Sequence, residues 1–377
     1  MNLPILHGQA QLAEVVPSAL AVLGVPGFAN TLGLGEFRGV CVLLVDGLGW
    51  ELLEEHAADA PVLSSLPRTA LRVGCPSTTV AGLAAIGTGT TAGEHGMTGY
   101  SFELPGTGVI NALRWSRHPG GAELAETVRP EDVQPLPTTF ERAVEAGVDT
   151  RVVSSVQFAE SALTRAVLRG GRYVGVHAFG DLAAEVLAAL QGKPSFCYAY
   201  HGQLDLLGHF HGPGSPAWRM QLRQVDRLVE SLVDGLPAGR MLAVVADHGM
   251  VAVDDTAVDL DELPGLFDGV RAIGGEVRTR HVYCGHSAEA DVLAAWRETL
   301  DGRAWVATRD EAIEAGWFGP RVSDRVRPRI GDVVAAARDA FGMLRRTAEP
   351  LESALIGHHG SLTSAEQLVP LAIATGT

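Results

Sequence analysis

The sequence predicts an α/β fold: a doubly wound, mostly parallel central sheet with a small inserted α+β subdomain. Three observations carry that expectation. First, Val40-Cys41-Val42-Leu43-Leu44-Val45, Ser195–Tyr200 and Met241–Ala246 are short, mostly apolar runs, as in strands buried on both faces. Second, segments with apolar residues at helical spacing alternate with them, which implies parallel crossovers. Third, charge follows the ends of these runs, at Asp46 and at Asp247-His248. Open α/β sheets place their sites along that C-terminal edge.

In chain order, residues 9–36 read as a short helix and a Gly/Pro-rich connection, 40–45 as the first strand, and Trp50–His56 as one or two helical turns. A short strand is expected at Ala70–Gly74. Cys75-Pro76-Ser77-Thr78-Thr79 then turns into a helix, with Thr79 at the N-cap. Gly87–Gly93 has neither the Gly-Lys-Ser/Thr of a P-loop nor the GxGxxG spacing of a dinucleotide fold. Residues 101–137 read as an irregular excursion near the site, with one strand at Val109–Trp115. A helix from Thr139 to Ala146 stops at Gly147. Thr150–Val156 is a strand, and 158–169 and Asp181–Gln191 are helices. Ser215–Leu236 is a long amphipathic helix with Met220, Val225, Leu228, Leu232 and Val233 mostly on one face. In 273–347, Val277–Tyr283 alternates like a strand, and Ser287 caps a helix from Ala288 to Leu300. That stretch is the expected subdomain, inserted within a single domain of residues 1–377.

At 377 residues, 46% hydrophobic and 19% charged, the composition is that of a globular protein. A net charge of −15 argues against a nucleic-acid polymer as partner. It leaves a small phosphorylated substrate open, because bound cations reverse the local sign. No window holds about eighteen uninterrupted apolar residues, so no membrane span is expected. The first seven residues have no basic and then apolar leader, so no export signal and a cytoplasmic location are expected. Cys41, Cys75, Cys197 and Cys284 form no CxxC pair and read as free thiols in a reducing compartment.

The chemistry-bearing residues fall into short constellations. Asp205 and His209 form D-x-x-x-H, and on a helix residues four apart share a face and can share one ion; a surface pair is the plain alternative. In Asp247-His248-Gly249, adjacent ligands serve one ion only where a strand stops and turns, which Gly249 permits; the alternative is a capping Asp beside a surface His. His358-His359-Gly360 offers a further imidazole. One shell is then Asp46, Thr79, Asp247 and His248. The other is Asp205, His209 and an imidazole of the His358-His359 pair. Oxygen and nitrogen ligands without thiolate suit two divalent cations, zinc best, with manganese or iron also compatible. A cation pair can clamp both oxygens of an in-line displacement at phosphorus. A hydroxyl at a helix N-terminus, as at Thr79, suits the attacking role.

The order of motifs resembles the alkaline phosphatase superfamily, and within it the type I phosphodiesterase/nucleotide pyrophosphatase family. The resemblance spans roughly residues 40 to 371. It rests on Val45-Asp46-Gly47, Pro76-Ser77-Thr78-Thr79, Glu94-His95-Gly96, Asp205-Leu206-Leu207-Gly208-His209, Gly212-Pro213, Ala246-Asp247-His248-Gly249 and His359-Gly360-Ser361. It implies helices on both faces of the sheet and a covalent phospho-threonine intermediate on Thr79. It also implies one zinc on Asp46, Thr79, Asp247 and His248, and another on Asp205, His209 and His359, the His directly before the Gly. The implied substrate is a phosphodiester or nucleotide pyrophosphate. Phosphomonoester or phosphonate hydrolysis is the alternative within the superfamily, and a non-catalytic metal-stabilised binding protein the alternative outside catalysis. Many relatives place an Asn a few residues after the His-Gly that follows the nucleophile helix, where this chain has Tyr100. A phenol still donates one hydrogen bond, so Tyr100 is a candidate substrate contact. Arg278 and Arg280 are candidates for an anionic end of the substrate. The chain lacks the C-x-P-x-R motif of sulfatases. His95 reads as a structural histidine, and Trp115 and Trp218 as packing residues.

Overall fold

The computed structural model describes residues 3–6, 9–192 and 194–376. Met1, Asn2 and His7, part of the stretch read for an export signal, lie outside the described residues. In chain order the principal strands are β1 (Gly39–Val45), β2 (Arg68–Arg72), β3 (Asp149–Ser155), β4 (Arg172–Val176), β5 (Ser195–His201), β6 (Arg240–Val245), β7 (Val270–Gly275), β8 (Thr279–Cys284), β9 (Ala304–Thr308), β10 (Val333–Ala337) and β11 (Leu368–Thr375). The helices that matter here are α1 (Thr79–Thr88), α2 (Ala162–Val167), α3 (Phe179–Ala189), α4 (Gln203–His211) and α5 (Pro216–Gly235).

The main sheet has the order β2-β11-β6-β1-β5-β3-β4. Only β11 runs against the rest, pairing antiparallel with β2 and β6. β1 lies at the centre, parallel to β5 and β6, and every residue of β1 and β6 is buried. Unbroken apolar runs form these strands because helices cover both faces. α3, α4, α5 and Pro61–Ser65 pack among themselves, and α1 packs with Val15–Val22, Thr139–Glu145 and α2. The three central strands therefore end side by side, at Val45, His201 and Val245.

A second, antiparallel sheet, β7-β8-β10-β9, lies between β6 and β11 in the chain. Alternation in β10 serves two cores: Val333, Ala335 and Ala337 pack with Leu260, Trp296 and Phe341, while Val334 and Ala336 pack with Cys75, Trp317 and Phe318. The strands begin at Val270, three residues before the expected start of the subdomain, and the apolar cluster reaches back to Leu260.

Local expectations differ from the structure at several places. The N-cap of α1 is Thr78, extended at φ −136°, and Thr79 is the first helical residue. The strand expected at Val109–Trp115 is the middle of a three-stranded meander (Ser101–Leu104, Gly108–Asn111, Ser116–Arg117) and ends at Asn111. The Asn111 side chain accepts from the Leu113 and Arg114 amides and turns the chain there. Ser287 does not cap: it has φ 60°, and the helix starts at Glu289 after Ala288. Met220 is mostly exposed, and Trp218, Leu222 and Val229 complete the buried face of α5 instead. Among the described residues, no helix is long and apolar enough to cross a membrane.

Candidate metal centre and nucleophile

Three chain ends of the central strands deliver the site. Asp46 follows β1 directly, Asp247 and His248 follow β6, and β5 leads within two residues into α4, whose first and last turns carry Asp205 and His209. Close approach is built in by two glycines. A Cβ at Gly82 on α1 would lie 2.5 Å from the Asp247 Cβ, so the helix that begins at Thr79 rests on that residue's main chain. Gly47, at φ +74°, lets the turn after β1 come within 3.0 Å of the Asp205 Cα, measured from a Cβ placed there.

The first cluster centres on His248 Nε2, which lies 3.2 Å from Thr79 Oγ1 and 3.2 Å from Asp46 Oδ1. Asp247 Oδ2 is 3.8 Å away. In the second cluster His209 Nε2 lies 3.3 Å from Asp205 Oδ2, and His359 Nε2 is 3.3 Å from His209 Nε2 and 3.7 Å from Asp205 Oδ1. The clusters touch, for the His248 and His359 rings stack at 3.5 Å. Asp205 has a ligand atom within 4.8 Å of partners in both clusters. The neighbouring His358 turns away, its Nε2 facing the Leu355 carbonyl.

Whether these residues suit cations can be judged from their unsatisfied atoms. Asp46 Oδ1, Asp205 Oδ1 and Asp247 Oδ2 are buried with no hydrogen-bond partner, a costly arrangement unless something binds there. Each histidine has a backbone carbonyl at Nδ1: Gly357 for His209, Ser77 for His359 and Gly249 for His248. A carbonyl there accepts a hydrogen bond from Nδ1–H and leaves the Nε2 lone pair aimed into the cluster, the tautomer a metal ligand needs. The electrostatics agree. Burial opposes charge on His248, yet Asp247 and Asp46 outweigh it and lift its pKa to about 10. Burial, then the charge of Asp46, pushes Asp247 well up. Burial also opposes the Asp205 carboxylate, but His209 and His359 hold it below its ordinary range. Burial and the charge of His248 push His359 well down. Three carboxylates in so small a volume demand positive charge. The donor set fits two divalent cations.

Three expected substrate contacts are placed elsewhere. Arg278 is fully buried and donates to Glu366 at 2.7 Å. Arg280 is fully buried against Glu349, also at 2.7 Å. Both guanidiniums are engaged in desolvated ion pairs, which corrects the expectation that they meet an anionic substrate. The Tyr100 hydroxyl donates to Glu352 at 2.8 Å, and that carboxylate rather than a phosphate oxygen receives its proton. His95 is buried with its pKa near 3, chiefly through burial, and accepts from the Met97 amide, as a structural histidine would. Sequence reasoning missed Tyr200, whose hydroxyl donates to Asp46 Oδ2. Its place at the end of β5, beside the strand that delivers Asp46, is the one signal that pointed to it. Beside the cluster opens a cavity of about 630 Å³, whose lining includes Asp46, Thr79 and Asp205 together with Phe158, Leu168 and Leu182.

The profile of the family described as Type I phosphodiesterase / nucleotide pyrophosphatase matches residues 40–362. Human ectonucleotide pyrophosphatase/phosphodiesterase family member 7 is 41% identical over 68 residues, which are 17% of this chain and only 15% of that relative's length. An inactive form of murine ectonucleotide pyrophosphatase/phosphodiesterase 5 in complex with AMP superposes with a TM-score of 0.67 at 16% identity, covering 89% of this chain and 87% of the other. Phosphonoacetate hydrolase from Sinorhizobium meliloti 1021, in complex with phosphonoformate, gives 0.68 at 18% identity, covering 90% and 91%. At these identities the structural likeness shows the fold.

Proposed function

The chain belongs to the type I phosphodiesterase/nucleotide pyrophosphatase family, and from that premise we propose that it is a two-metal phosphohydrolase acting on phosphodiesters, with Thr79 as nucleophile. The observation that carries this reading is the position of Thr79 Oγ1. It stands in the first turn of α1, 3.2 Å from His248 Nε2, beside carboxylate oxygens that have no other partner. Asp46, Thr79, Asp247 and His248 would hold one cation, and Asp205, His209 and His359 the other. Bound there, the cations would favour the ionised hydroxyl and offset charge on the phosphoryl oxygens.

The chain's own residues do the rest. The α1 N-terminus holds Oγ1 in a field that favours negative charge. Oγ1 forms a bond to phosphorus as the bond to one ester oxygen breaks, and the hydroxyl proton passes through water to the departing oxygen. A water molecule then adds to phosphorus, Thr79 Oγ1 leaves and recovers a proton, and the products are a phosphomonoester and an alcohol. Tyr200 keeps Asp46 in place throughout. Zinc as the cation belongs to the same proposal, as does a cytoplasmic setting, which the four free cysteines support. The test is hydrolysis of a nitrophenyl phosphodiester beside the matching monoester by zinc-loaded protein and by Thr79→Ala. Faster diester turnover is expected, with Thr79→Ala retaining metal but losing at least about a thousandfold in turnover. Wild-type rates in Thr79→Ala would remove the nucleophile assignment, and faster monoester turnover would move the chain to phosphomonoester hydrolysis.

A further inference from the structure

The N-cap of α1 departs from other hydroxyl caps of the fold. Thr138, Ser161, Ser215 and Thr308 each stand extended before a helix and accept from the amide three residues on, at Glu141, Thr164, Trp218 and Glu311. That bond satisfies one of the amides that a helix start leaves without a carbonyl. Thr78 is a residue of the same kind and is also extended, yet its hydroxyl makes no such bond. It bonds instead to the carboxyl group of Glu276, in the hairpin between β7 and β8. The hairpin is fixed at this point. The Glu276 amide donates to the Thr279 carbonyl at 2.7 Å, and Ser101 Oγ donates to the Gly275 carbonyl at 2.8 Å. A Cβ at Gly360 would lie 2.7 Å from Glu276 Oε1, so the Glu276 side chain lies against the main chain there. The Gly360 amide and carbonyl are in turn both bonded to Ser77, the residue before Thr78. Glu276 Oε1 is buried with no hydrogen-bond partner.

The result is a helix start with open donors. Among the described residues nothing accepts from the Thr79, Val80 and Ala81 amides, and the first bond of α1 runs from the Gly82 amide to the Thr78 carbonyl at 2.9 Å. Amides of this kind bind phosphoryl oxygens. A threonine cap would cover them with its own oxygen, and would place partial negative charge where the phosphoryl group and the ionised Thr79 hydroxyl must stand. We infer that Glu276 is a positioning residue for the reaction: it takes the Thr78 hydroxyl, prevents the N-cap of α1 from closing, and leaves the first-turn amides to the phosphoryl group that Thr79 attacks. The inference rests on the phosphodiesterase reading above and adds to it a residue of the second sheet that acts through Thr78. Without Glu276 the hydroxyl turns onto the Ala81 amide, and an entering phosphoryl group must displace it. From the strength of ordinary N-cap bonds, that displacement lowers phosphate affinity and kcat/KM about five- to thirtyfold.

The experiment compares the zinc-loaded wild type with Glu276→Met, Glu276→Gln and the double variant Glu276→Met/Thr78→Val. Turnover is read on bis(p-nitrophenyl) phosphate, and inorganic phosphate serves as competitive inhibitor. Glu276→Met fills the space over Gly360 but offers no oxygen to Thr78; Glu276→Ala serves in its place if it does not fold. In Glu276→Met, kcat/KM should fall and the Ki of phosphate should rise by the same factor, with metal content unchanged. Glu276→Gln still presents an oxygen to Thr78 and should keep most of the wild-type rate. Thr78→Val removes the hydroxyl that would close the cap, so the double variant should recover most of what Glu276→Met loses. A crystal structure of Glu276→Met should show Thr78 Oγ1 on the Ala81 amide. Unchanged kinetics in Glu276→Met would overturn the inference. So would a loss in Glu276→Gln as large as in Glu276→Met, or a double variant no better than Glu276→Met, because a role in charge or packing alone predicts no rescue. None of these results touches the phosphodiesterase reading, which fails if the wild type hydrolyses no ester. In that case the same variants are judged by calorimetry with inorganic phosphate: weaker binding in Glu276→Met with recovery in the double variant supports the inference, and equal affinities overturn it.

Discussion

Replacing Gly82 by Ala sets two effects of opposite sign against each other. Gly82 is an interior residue of α1, where Ala is ordinarily better by about 0.8–1.0 kcal/mol. Against that gain, the new Cβ would lie 2.5 Å from Asp247 Cβ, 2.9 Å from its carbonyl oxygen and 3.0 Å from its Cα. Carbon atoms pack best near 3.5–4.0 Å, so something must move by about 1 Å. Neither partner rotates away, because the contacts are main chain and Cβ. Overpacking of this kind costs about 1–3 kcal/mol, and the net expectation is a loss of up to about 2 kcal/mol. The larger effect falls on the site. The displaced group is either the helix that bears Thr79 or the strand end that bears Asp247, and a 1 Å displacement of reacting groups costs about a hundredfold in rate. The assays are chemical denaturation, metal content after desalting, and kcat/KM on a nitrophenyl diester. The midpoint should fall, metal should be bound less tightly and kcat/KM should drop. An Ala variant that is more stable, fully loaded with metal and as active as wild type would refute the packing argument.

Two further outcomes follow from the same geometry. Tyr200→Phe removes the hydroxyl that holds Asp46, so metal affinity measured by competitive chelator titration should weaken about 10- to 100-fold while the fold persists; unchanged affinity would deny Tyr200 a positioning role. The Arg280–Glu349 pair should show in acid stability. Burial opposes the Glu349 carboxylate, but Arg280 and His118 prevail and hold its pKa at about 2, below its ordinary 4.5. A depressed carboxyl stabilises fully above its unfolded pKa and loses that contribution as pH falls through the folded value, so about 3 kcal/mol should disappear between pH 4.5 and 2. Arg280→Met leaves the buried Glu349 with His118 but without its guanidinium partner and should cost about 3 kcal/mol at neutral pH, read from denaturation midpoints; a variant of wild-type stability would contradict the pairing.

The central sheet and the cluster of candidate metal ligands were legible in the sequence for the same reason. Strands buried on both faces are written as unbroken apolar runs, and a carboxylate or histidine directly after such a run stands out against them. β4 was not legible: it is an edge strand, Arg172-Tyr173-Val174-Gly175-Val176, with only Val176 buried, so no periodicity marks it. β10 was missed because it reads through small residues, Val333-Val334-Ala335-Ala336-Ala337, whose strand character comes from packing between two cores. Thr78 and Thr79 are chemically alike, and only the backbone distinguishes the N-cap from the residue after it. The arginines illustrate the limit best. A sequence shows that Arg278 and Arg280 are charged, but their burial depends on Glu349 and Glu366, which lie 69 and 88 residues away.

Those arginines also indicate what the second sheet does for the site. The hairpin joining β7 to β8, at Gly275–Thr279, reaches the loop that carries His359. Thr279 Oγ1 donates to the Gly360 carbonyl at 2.8 Å. Arg278 holds Glu366, which in turn accepts from the Ser361 amide at 3.0 Å. From the other side, Ser77 beside the nucleophile turn donates to the Ser361 carbonyl and accepts from the Gly360 amide, while its own carbonyl meets His359 Nδ1. His359 is thus clamped between the nucleophile turn and the hairpin of the second sheet. His359 follows a two-residue strand, Gly357–His358, that lies outside the main sheet, and such a short support needs a clamp, because a ligand must be held to well under 1 Å to serve an ion. The buried charge of Arg278 is the means of that positioning, since an ion pair without solvent has few alternative geometries.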